Sequence, residues 1–469
     1  MGADRTTATR RWPAPRCLAL LLLLELPFLG HMPLVRDEVQ SHEAARKTLG
    51  ALWSSLHHLD APVGPYYALL HFWIMVSESP TWMRLPSLLG VAGAIALTIW
   101  TAERLAGARA GLVTGLLLLA NPASWVFASI ARPYGLALCL AAATLLLTLT
   151  APQRKVLLLV LATAMVFLQG MFVLLLVAEL LWLWRARERD AALAVFSAMV
   201  LWLPMALVSS TQSVMTSWIP HTAPVPLAEY VHELFGSTGL LSGIALIAWA
   251  AVAVVARPGR DTRPMLLLAA GPVVVLAAAG VVAHVLGGRY VLHALLVVAL
   301  VLGVAAAPRP VAASRLLLAA LLLLSLDNVV HQARTDFVQE DLPSAAAYLV
   351  AHDQPSDALL YSPDHARAAF LPEIETADPG VASQDLSADS TTDRRRLGSF
   401  YLPERSAAQI RAALKQHPRV WVIGYEDDHW RPTPNTGGDI ATHDLAGWTL
   451  QSTQTFGQIR LQLFTAPAS

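Results

Sequence analysis

A succession of long apolar runs constrains this chain more than any other feature of its sequence. The runs recur from residue 17 to residue 330, are rich in leucine and alanine, and are separated by short polar segments. Of all residues, 55% are hydrophobic and 14% are charged, whereas soluble domains carry roughly 25% charged residues. No single soluble core buries this much apolar surface, so the pattern predicts helices that cross a bilayer.

The apolar runs predict eleven membrane-spanning helices, with the N-terminus in the cytoplasm. The first run is predicted to be a retained helix, because no small-x-small cleavage site follows it. Loops on the cytoplasmic side would carry sixteen Lys and Arg residues, against six in the opposite loops before residue 331. The spans are predicted at about 17–34, 85–102, 110–127, 133–150, 155–168, 170–184, 192–210, 239–256, 264–285, 290–307 and 314–330.

Residues 34–84 form the first outer loop in this scheme. Its segment Tyr66–Val76 is apolar, but at about 11 residues it is short for a span, which needs roughly 20. Its Tyr, His and Trp content favours an interfacial helix. The alternative that this segment spans the membrane stays open, and it would turn the Arg-rich loops outward.

The composition changes after residue 330. The segments "LPSAAAYLVAHD" and "ERSAAQIRAALKQ" are typical of helices, "DALLYS" and "RVWVIGY" of strands, and "GWTLQSTQTFGQIRLQLFTA" of a hairpin. We therefore predict an all-α membrane domain over residues 1–330 and a small extracytoplasmic α/β domain over residues 331–469. Lys and Arg balance Asp and Glu at 33 each, so no basic field predicts a nucleic-acid partner.

Three acidic residues stand where the first outer loop begins and turns. Asp37 and Glu38 follow the end of the first span, and Asp60 comes 23 residues after Asp37. A helix from Gln40 to about Leu56 would fold the loop back, so that the acids face one cavity at the outer membrane surface. A partly desolvated carboxylate there can act as a general base on a hydroxyl. Residue types alone favour the simpler alternative that Asp37 and Glu38 are solvated charges at a helix end.

Several motifs occur in an order that resembles a known family. They are "RDE" after the first span, "HLDAPVGPYYALLHFW", "RLPSLLG", "ERLAGARAG", "NPASWVFASIARPYGLAL", "GGRYVLHALLVVALVLG" and, in the tail, "EDLPSAAAYLVAHDQPSDALLY". The set resembles the bacterial GT-C glycosyltransferases of family 39 and their relatives, the protein O-mannosyltransferases and the aminoarabinose transferase. The resemblance covers most of the chain and is strongest over about residues 30–150.

The resemblance implies a GT-C fold and a glycosyltransferase of the bacterial plasma membrane. Such enzymes move a sugar, here by resemblance mannose, from a polyprenyl-phosphate carrier to an extracytoplasmic protein or glycan hydroxyl, with inversion. The family's catalytic acid falls on Asp37, with Glu38 adjacent, and a second acid falls on Asp60. Relatives often carry His-Pro-Pro or Glu-Lys-Pro where this chain has Asp60-Ala61-Pro62, so a lysine that could hold the donor phosphate is missing.

A departing polyprenyl phosphate gains negative charge, so cations are expected beside it. Arg132 and Arg289, with the adjacent Tyr290, are the candidates, because a guanidinium can bind a phosphate through two hydrogen bonds. The alternative for Arg132 is an interface anchor that extends its charge to water. The mechanism needs no metal, and it leaves room for a divalent cation between Asp37 and Asp60.

Four loop residues complete the predicted substrate site: His57, His58, Tyr66 and Tyr67. The histidines can bond Asp60 or the acceptor, although exposed loop histidines are the commoner outcome. Two other functions stay open, a lipid or solute transporter or flippase, and a non-catalytic scaffold that displays the tail.

Overall fold

A computed structural model describes residues 14–212, 247, 249–254, 256, 258–259, 262–280, 288–308, 323, 330, 340–362, 366–388, 396–398, 404–425 and 437–467. The chain divides into two compact units. The first unit comprises Met1–Leu29, Ala61–Tyr66 and Thr81–Ala333, and the second comprises Gly30–Asp60, Tyr67–Pro80 and Arg334–Ser469. The second unit thus combines most of the first outer loop with the tail.

Helices make up most of the described chain. In chain order they are α1 (Ala14–Glu25), α2 (Arg36–Arg46), α3 (Leu49–Leu56), α4 (Gly64–Trp73), α5 (Pro80–Ala106), α6 (Ala108–Ala120), α7 (Pro122–Ala128), α8 (Tyr134–Thr150), α9 (Lys155–Leu168), α10 (Val173–Arg185), α11 (Arg189–Ser210), α12 (Leu267–Gly280), α13 (His293–Ala306), α14 (Leu342–His352), α15 (Ala366–Ala377), α16 (Pro379–Ala382), α17 (Ala407–Leu414) and α18 (Gly437–His443). Short 3₁₀ helices include Leu26–Phe28, Ala61–Val63, Gly170–Phe172, Arg263–Leu266 and Gly288–Val291.

The first unit contains long apolar helices. By length and composition, two of the described helices, α5 and α11, suffice to cross a membrane, and a third span results if α6 and α7 count as one bent span. The eleven-span count therefore stays a prediction. Nearly all of the predicted span at 314–330 and much of that at 239–256 lie outside the described residues.

The predicted span at 110–127 consists of two helices, because α6 and α7 meet at an angle of 69°. Pro122 lacks the amide hydrogen that a continuous helix needs, and the Asn121 side chain caps α7 by accepting a hydrogen bond from a backbone amide at 2.8 Å. The side chains of Ser124 and Trp125 each donate to a carbonyl near the end of α6 at 2.7 Å. These bonds satisfy backbone groups that the bend would otherwise expose to an apolar environment.

Glycines set a close crossing between α5 and α8. A Cβ atom on Gly135 would lie 2.4 Å from the carbonyl oxygen of Ser87, and one on Gly90 would lie 2.4 Å from the carbonyl carbon of Gly135. Small residues allow this approach between apolar helices. The Ser87 hydroxyl donates to the carbonyl of Arg132 at 3.1 Å, so the crossing also fixes the backbone at a predicted site residue.

The sheet of the second unit confirms the predicted α/β character of the tail. Its strands are β1 (Asp357–Ser362), β2 (Arg419–Tyr425), β3 (Thr449–Phe456) and β4 (Ile459–Thr465), in the order β1-β2-β4-β3. β1 and β2 are parallel, and the other two pairs are antiparallel. Alternate residues of β1 and β2 enter two apolar clusters on opposite faces of the sheet, as the period of two in a strand requires.

The first outer loop departs from the prediction in one respect. The predicted helix from Gln40 to Leu56 is instead two helices, α2 and α3, with a break at Lys47 and Thr48. The Thr48 hydroxyl accepts a hydrogen bond from a backbone amide of α3 at 3.3 Å and so begins a new helix. α4 has 10 residues, a length of about 15 Å, and its place at the membrane interface stays a prediction.

Candidate active site

The first turn of α2 carries two of the predicted catalytic acids. Asp37 and Glu38 are the acidic residues of this turn, where the helix dipole favours negative charge. Glu38 is buried at 1% exposure, and its carboxylate accepts a hydrogen bond from the backbone amide of Val35 at 3.1 Å. Asp37 is half-buried. Glu38 therefore caps the helix, and Asp37 is the better candidate for chemistry.

Asp60 is buried and held in an uncommon backbone conformation. Its φ angle is 59°, in the left-handed region that aspartate tolerates better than most residues. Its Oδ2 atom accepts hydrogen bonds from Gln40 Nε2 at 2.5 Å and from the Tyr67 hydroxyl at 2.8 Å. Tyr67 is fully buried. Two donors thus fix the carboxylate within the second unit.

Gln40 connects Asp60 to the helix that carries Asp37. Gln40 lies three residues after Asp37 in α2, and residues three apart share one helix face. The hydrogen bond from Gln40 to Asp60 therefore brings the second acid to the side of α2 that presents the first. We did not single out Gln40 from the sequence, although its spacing from Asp37 was a usable signal.

Arg36 binds the tail. Its backbone amide donates to Glu340 Oε2 at 2.6 Å, and its guanidinium lies 3.4 Å from Glu340 Oε1. The guanidinium also stacks 4.5 Å above the ring of Tyr425. Burial raises the pKa of Glu340 above its ordinary value, Arg36 opposes this rise, and the nearby charges of Asp37 and Glu38 add to it. No local sequence pattern indicates that Glu340 and Tyr425 lie beside the predicted acids.

The two histidines of the loop lie at its surface. His57 and His58 are both exposed, and the ring Nδ1 of His57 lies 2.8 Å from the carbonyl of Trp53, one turn earlier. This contact gives a main-chain carbonyl near the end of α3 a side-chain partner. Their predicted role in binding substrate stays a prediction.

The remaining predicted site residues belong to the first unit. Arg132 is half-buried in the segment between α7 and α8. Arg289 and Tyr290 are half-buried in the 3₁₀ helix that precedes α13, and Tyr290 packs against the apolar core of this unit. Tyr66 is fully buried. The contact of Arg132, Arg289 and Tyr290 with a donor phosphate stays a prediction, as does the role of Tyr66 in the substrate loop.

No metal-binding cluster is evident in the part of the chain that the structure describes, where no three His, Cys, Asp or Glu residues are grouped to hold an ion.

Two solved structures share this fold over nearly the whole chain. Neither a protein-family profile nor a curated protein matches the sequence. The structure of ArnT from Cupriavidus metallidurans in the apo state matches with a TM-score of 0.58 at 13% identity, covering 96% of this chain and 97% of that chain. The structure of the same protein bound to undecaprenyl phosphate matches with a TM-score of 0.56 at 15% identity, with the same coverage. At these identities the likeness establishes the fold.

Proposed function

We propose that this chain is an integral-membrane glycosyltransferase that uses a polyprenyl-phosphate-linked sugar. The observation that carries the proposal is the shared fold with ArnT, a protein whose structure has been solved with undecaprenyl phosphate bound. The apolar helices of the first unit agree with a membrane location. The hydrogen bond from Gln40 to Asp60 links the second acid to the helix that carries Asp37.

The reaction is a single displacement at the anomeric carbon. An acceptor hydroxyl oxygen attacks C1 of the sugar while the bond from C1 to the phosphate oxygen breaks. The electron pair leaves with the polyprenyl phosphate, and the hydroxyl proton passes to the carboxylate of Asp37 as general base. One such displacement inverts the configuration at C1. Asp60 is assigned to bind and orient the sugar or the acceptor.

The departing phosphate needs positive charge, which we assign to Arg132 and Arg289. Guanidinium groups bind phosphate oxygens through paired hydrogen bonds, and preorganised cations stabilise charge that develops in a transition state. Tyr290 is assigned to the same site as a hydroxyl donor. Tyr66, Tyr67, His57 and His58 are assigned to the substrate loop.

The proposal also specifies the donor sugar, the acceptor and the side of the membrane on which each end of the chain lies. Mannose follows from the sequence resemblance to the protein O-mannosyltransferases, and aminoarabinose is the alternative because the sequence motifs resemble the aminoarabinose transferase as well. The acceptor is a protein Ser or Thr hydroxyl, a lipoglycan or a cell-wall glycan. The N-terminus is assigned to the cytoplasm and the tail to the outer side.

The test compares transfer by membranes that contain the wild-type chain, an Asp37→Asn variant or an Asp190→Asn variant. Each is supplied with polyprenyl-phosphate mannose or polyprenyl-phosphate aminoarabinose carrying a radiolabelled sugar. We expect at least a 100-fold loss in Asp37→Asn and less than a twofold change in Asp190→Asn, since Asp190 forms a surface ion pair with Lys155. Equal transfer by the wild type and Asp37→Asn would refute the mechanism.

A transporter or flippase is the second candidate. Two carboxyl groups in the helices of the first unit, Glu25 and Glu179, are almost fully buried, and ionisable groups inside a membrane often mark transport pathways. This function predicts movement of a fluorescent polyprenyl phosphate across vesicles without sugar transfer. Loss of that movement in Glu179→Gln, with no sugar transferred by the wild type, would favour it.

A further inference from the structure

The tail builds the support on which α2 rests. Val39 of α2 is 2% exposed and belongs to the same apolar cluster as Leu342 and Tyr425 of the tail. Leu34, just before the helix, packs against this cluster as well. The helix that carries Asp37 is therefore part of the core of the second unit.

Glu340 holds the start of this helix with both carboxylate oxygens. Oε2 accepts from the first backbone amide of α2, that of Arg36, and Oε1 lies 3.4 Å from the guanidinium of the same residue. The Glu340 side chain is 6% exposed, whereas that of Arg36 is 37% exposed. A buried carboxylate that accepts a backbone amide and pairs a guanidinium restricts both the main chain and the side chain of Arg36.

The position of Glu340 is itself fixed by the sheet. Its backbone bridges Gly457, which has a φ angle of 61° in the turn between β3 and β4, where glycine is favoured. The amide of Asp341 donates to the carbonyl of Phe456 at 3.3 Å. The Asp341 side chain caps α14 by accepting from Ser344 at 3.1 Å. The backbone of Glu340 is thus held against the turn of the β3–β4 hairpin.

One cation and three carboxyl groups meet at this point. Arg36, Asp37 and Glu38 all act electrostatically on Glu340, and the ring of Tyr425 lies under the Arg36 guanidinium. Arg36 directly precedes Asp37. If Glu340 did not bind the guanidinium, this long side chain would be available to pair with Asp37 and would make it a weaker base.

We propose that Glu340 is a positioning residue for the transfer reaction, which acts by fixing the first turn of α2 and by binding the Arg36 guanidinium, which would otherwise compete for Asp37. This assignment rests on the proposed function, in which Asp37 takes the proton of the acceptor. Glu340 belongs to the tail and lies 304 residues after Arg36 in the chain. The assignment therefore gives the tail a defined role in catalysis.

The test uses the full chain in membranes and whichever of the two labelled polyprenyl-phosphate sugars the wild type transfers. Initial rates are measured over a series of donor concentrations for the wild type, Glu340→Ala, Glu340→Gln and the control Asp444→Asn. Asp444 is a tail carboxylate that pairs with Arg411 in a partly exposed position. We expect kcat to fall at least 10-fold in Glu340→Ala, with KM for the donor within threefold of the wild type. The control is expected to change less than twofold.

The conservative variant and a double variant separate positioning from general damage to the fold. The amide oxygen of Glu340→Gln can still accept the Arg36 amide, so its kcat is expected to lie between those of the wild type and Glu340→Ala. Removing the guanidinium as well, in Arg36→Gln/Glu340→Ala, is expected to recover at least threefold in kcat over Glu340→Ala. A chain that is merely misfolded by the first substitution would not recover with a second.

The pH profile supplies an independent readout. Asp37 and Glu340 repel each other as carboxylates. The other charged or titratable groups that interact with Glu340 or Tyr425 here are Arg36 and Glu38. Removing the Glu340 charge makes ionisation of Asp37 easier, so the acid limb of kcat in Glu340→Gln is expected to move to lower pH.

The outcomes are distinct. Wild-type rates and an unchanged acid limb in both Glu340 variants, with Asp37→Asn inactive, would overturn this assignment and leave the proposed function intact. A wild type that transfers neither sugar would overturn both.

Discussion

The hydrogen bond from Tyr67 to Asp60 provides the sharpest test of the structure at the candidate site. Tyr67→Phe removes only the hydroxyl oxygen, which lies 2.8 Å from Asp60 Oδ2. Tyr67 is fully buried and Asp60 is 6% exposed, so solvent has little access to replace the lost donor. The phenylalanine ring fills the same space, so the substitution keeps the packing and removes the hydrogen bond to Asp60.

The energetic cost of losing this hydrogen bond follows from the charge of the Asp60 carboxylate and the burial of both side chains. A hydrogen bond to a charged group contributes about 1.5–3 kcal/mol, which corresponds to roughly a 10- to 150-fold change in an equilibrium constant at 25 °C. Asp60 also pays for a left-handed backbone, at about 1–3 kcal/mol for a strained residue. Its two donors, Tyr67 and Gln40, offset that strain. We therefore expect Tyr67→Phe to lower the free energy of unfolding by about 1.5–3 kcal/mol.

The assay is equilibrium denaturation in detergent micelles, arranged as a double-mutant cycle with Asp60→Asn. Asparagine also tolerates the left-handed conformation, so this substitution removes the charge with little change in backbone preference. The control is Tyr348→Phe, since Tyr348 is a half-buried tyrosine of the tail whose ring stacks on the exposed His352. A loss below 0.5 kcal/mol in Tyr67→Phe, or a coupling energy no larger than the control's error, would show that our reasoning about Asp60 is wrong.

Two further predictions concern packing and buried charge. Gly135→Ala is expected to destabilise the first unit by about 1–3 kcal/mol, because the added Cβ would meet the backbone of α5. The control is Gly271→Ala, whose Cβ would meet open space and which is expected to show no loss of stability. Equal thermal midpoints for the two variants would contradict the close crossing of α5 and α8. Burial, and secondarily the charge of Glu43, raises the pKa of Glu373 in the folded chain. The native state therefore resists ionisation of Glu373. Its stability falls as the pH rises from the pKa of Glu373 in the unfolded chain through the raised pKa in the folded chain. Glu373→Gln is therefore expected to stabilise the chain at pH 8 and to have little effect at pH 3.5, and the same gain at both values would exclude this cause.

Local patterns predicted the elements whose own residues determine them. The strands "DALLYS" and "RVWVIGY" alternate between two apolar clusters, and this alternation is encoded in neighbouring residues. The terminal hairpin is likewise local, since its two strands pair across a short turn at Gly457. The bend in the span at 110–127 is also local, because Asn121 before Pro122 is a typical start of a new helix.

Contacts between distant segments were beyond the reach of such patterns. Glu340 belongs to a quoted motif, but nothing local indicates that it binds Arg36. Gln40 and Tyr67 both bond Asp60, because the loop folds back on itself between them. This fold uses two helices, α2 and α3, which are separated at Thr48. The positions of Asp37 and Asp60 in the chain mark them as candidate acids, whereas their partners depend on tertiary structure.

The burial of Val39 in the tail bears on how the chain can be divided. The break in composition near residue 330 invites cutting the protein there, yet a fragment that begins at Arg334 would lack the valine that fills part of its interior and would expose an apolar hollow to water. The complementary fragment would keep α2 with its apolar side uncovered and with no acceptor from the tail for its first amide. Either half is then expected to aggregate or to lose cooperative melting, and adding a peptide of residues 30–60 to the isolated tail should restore it.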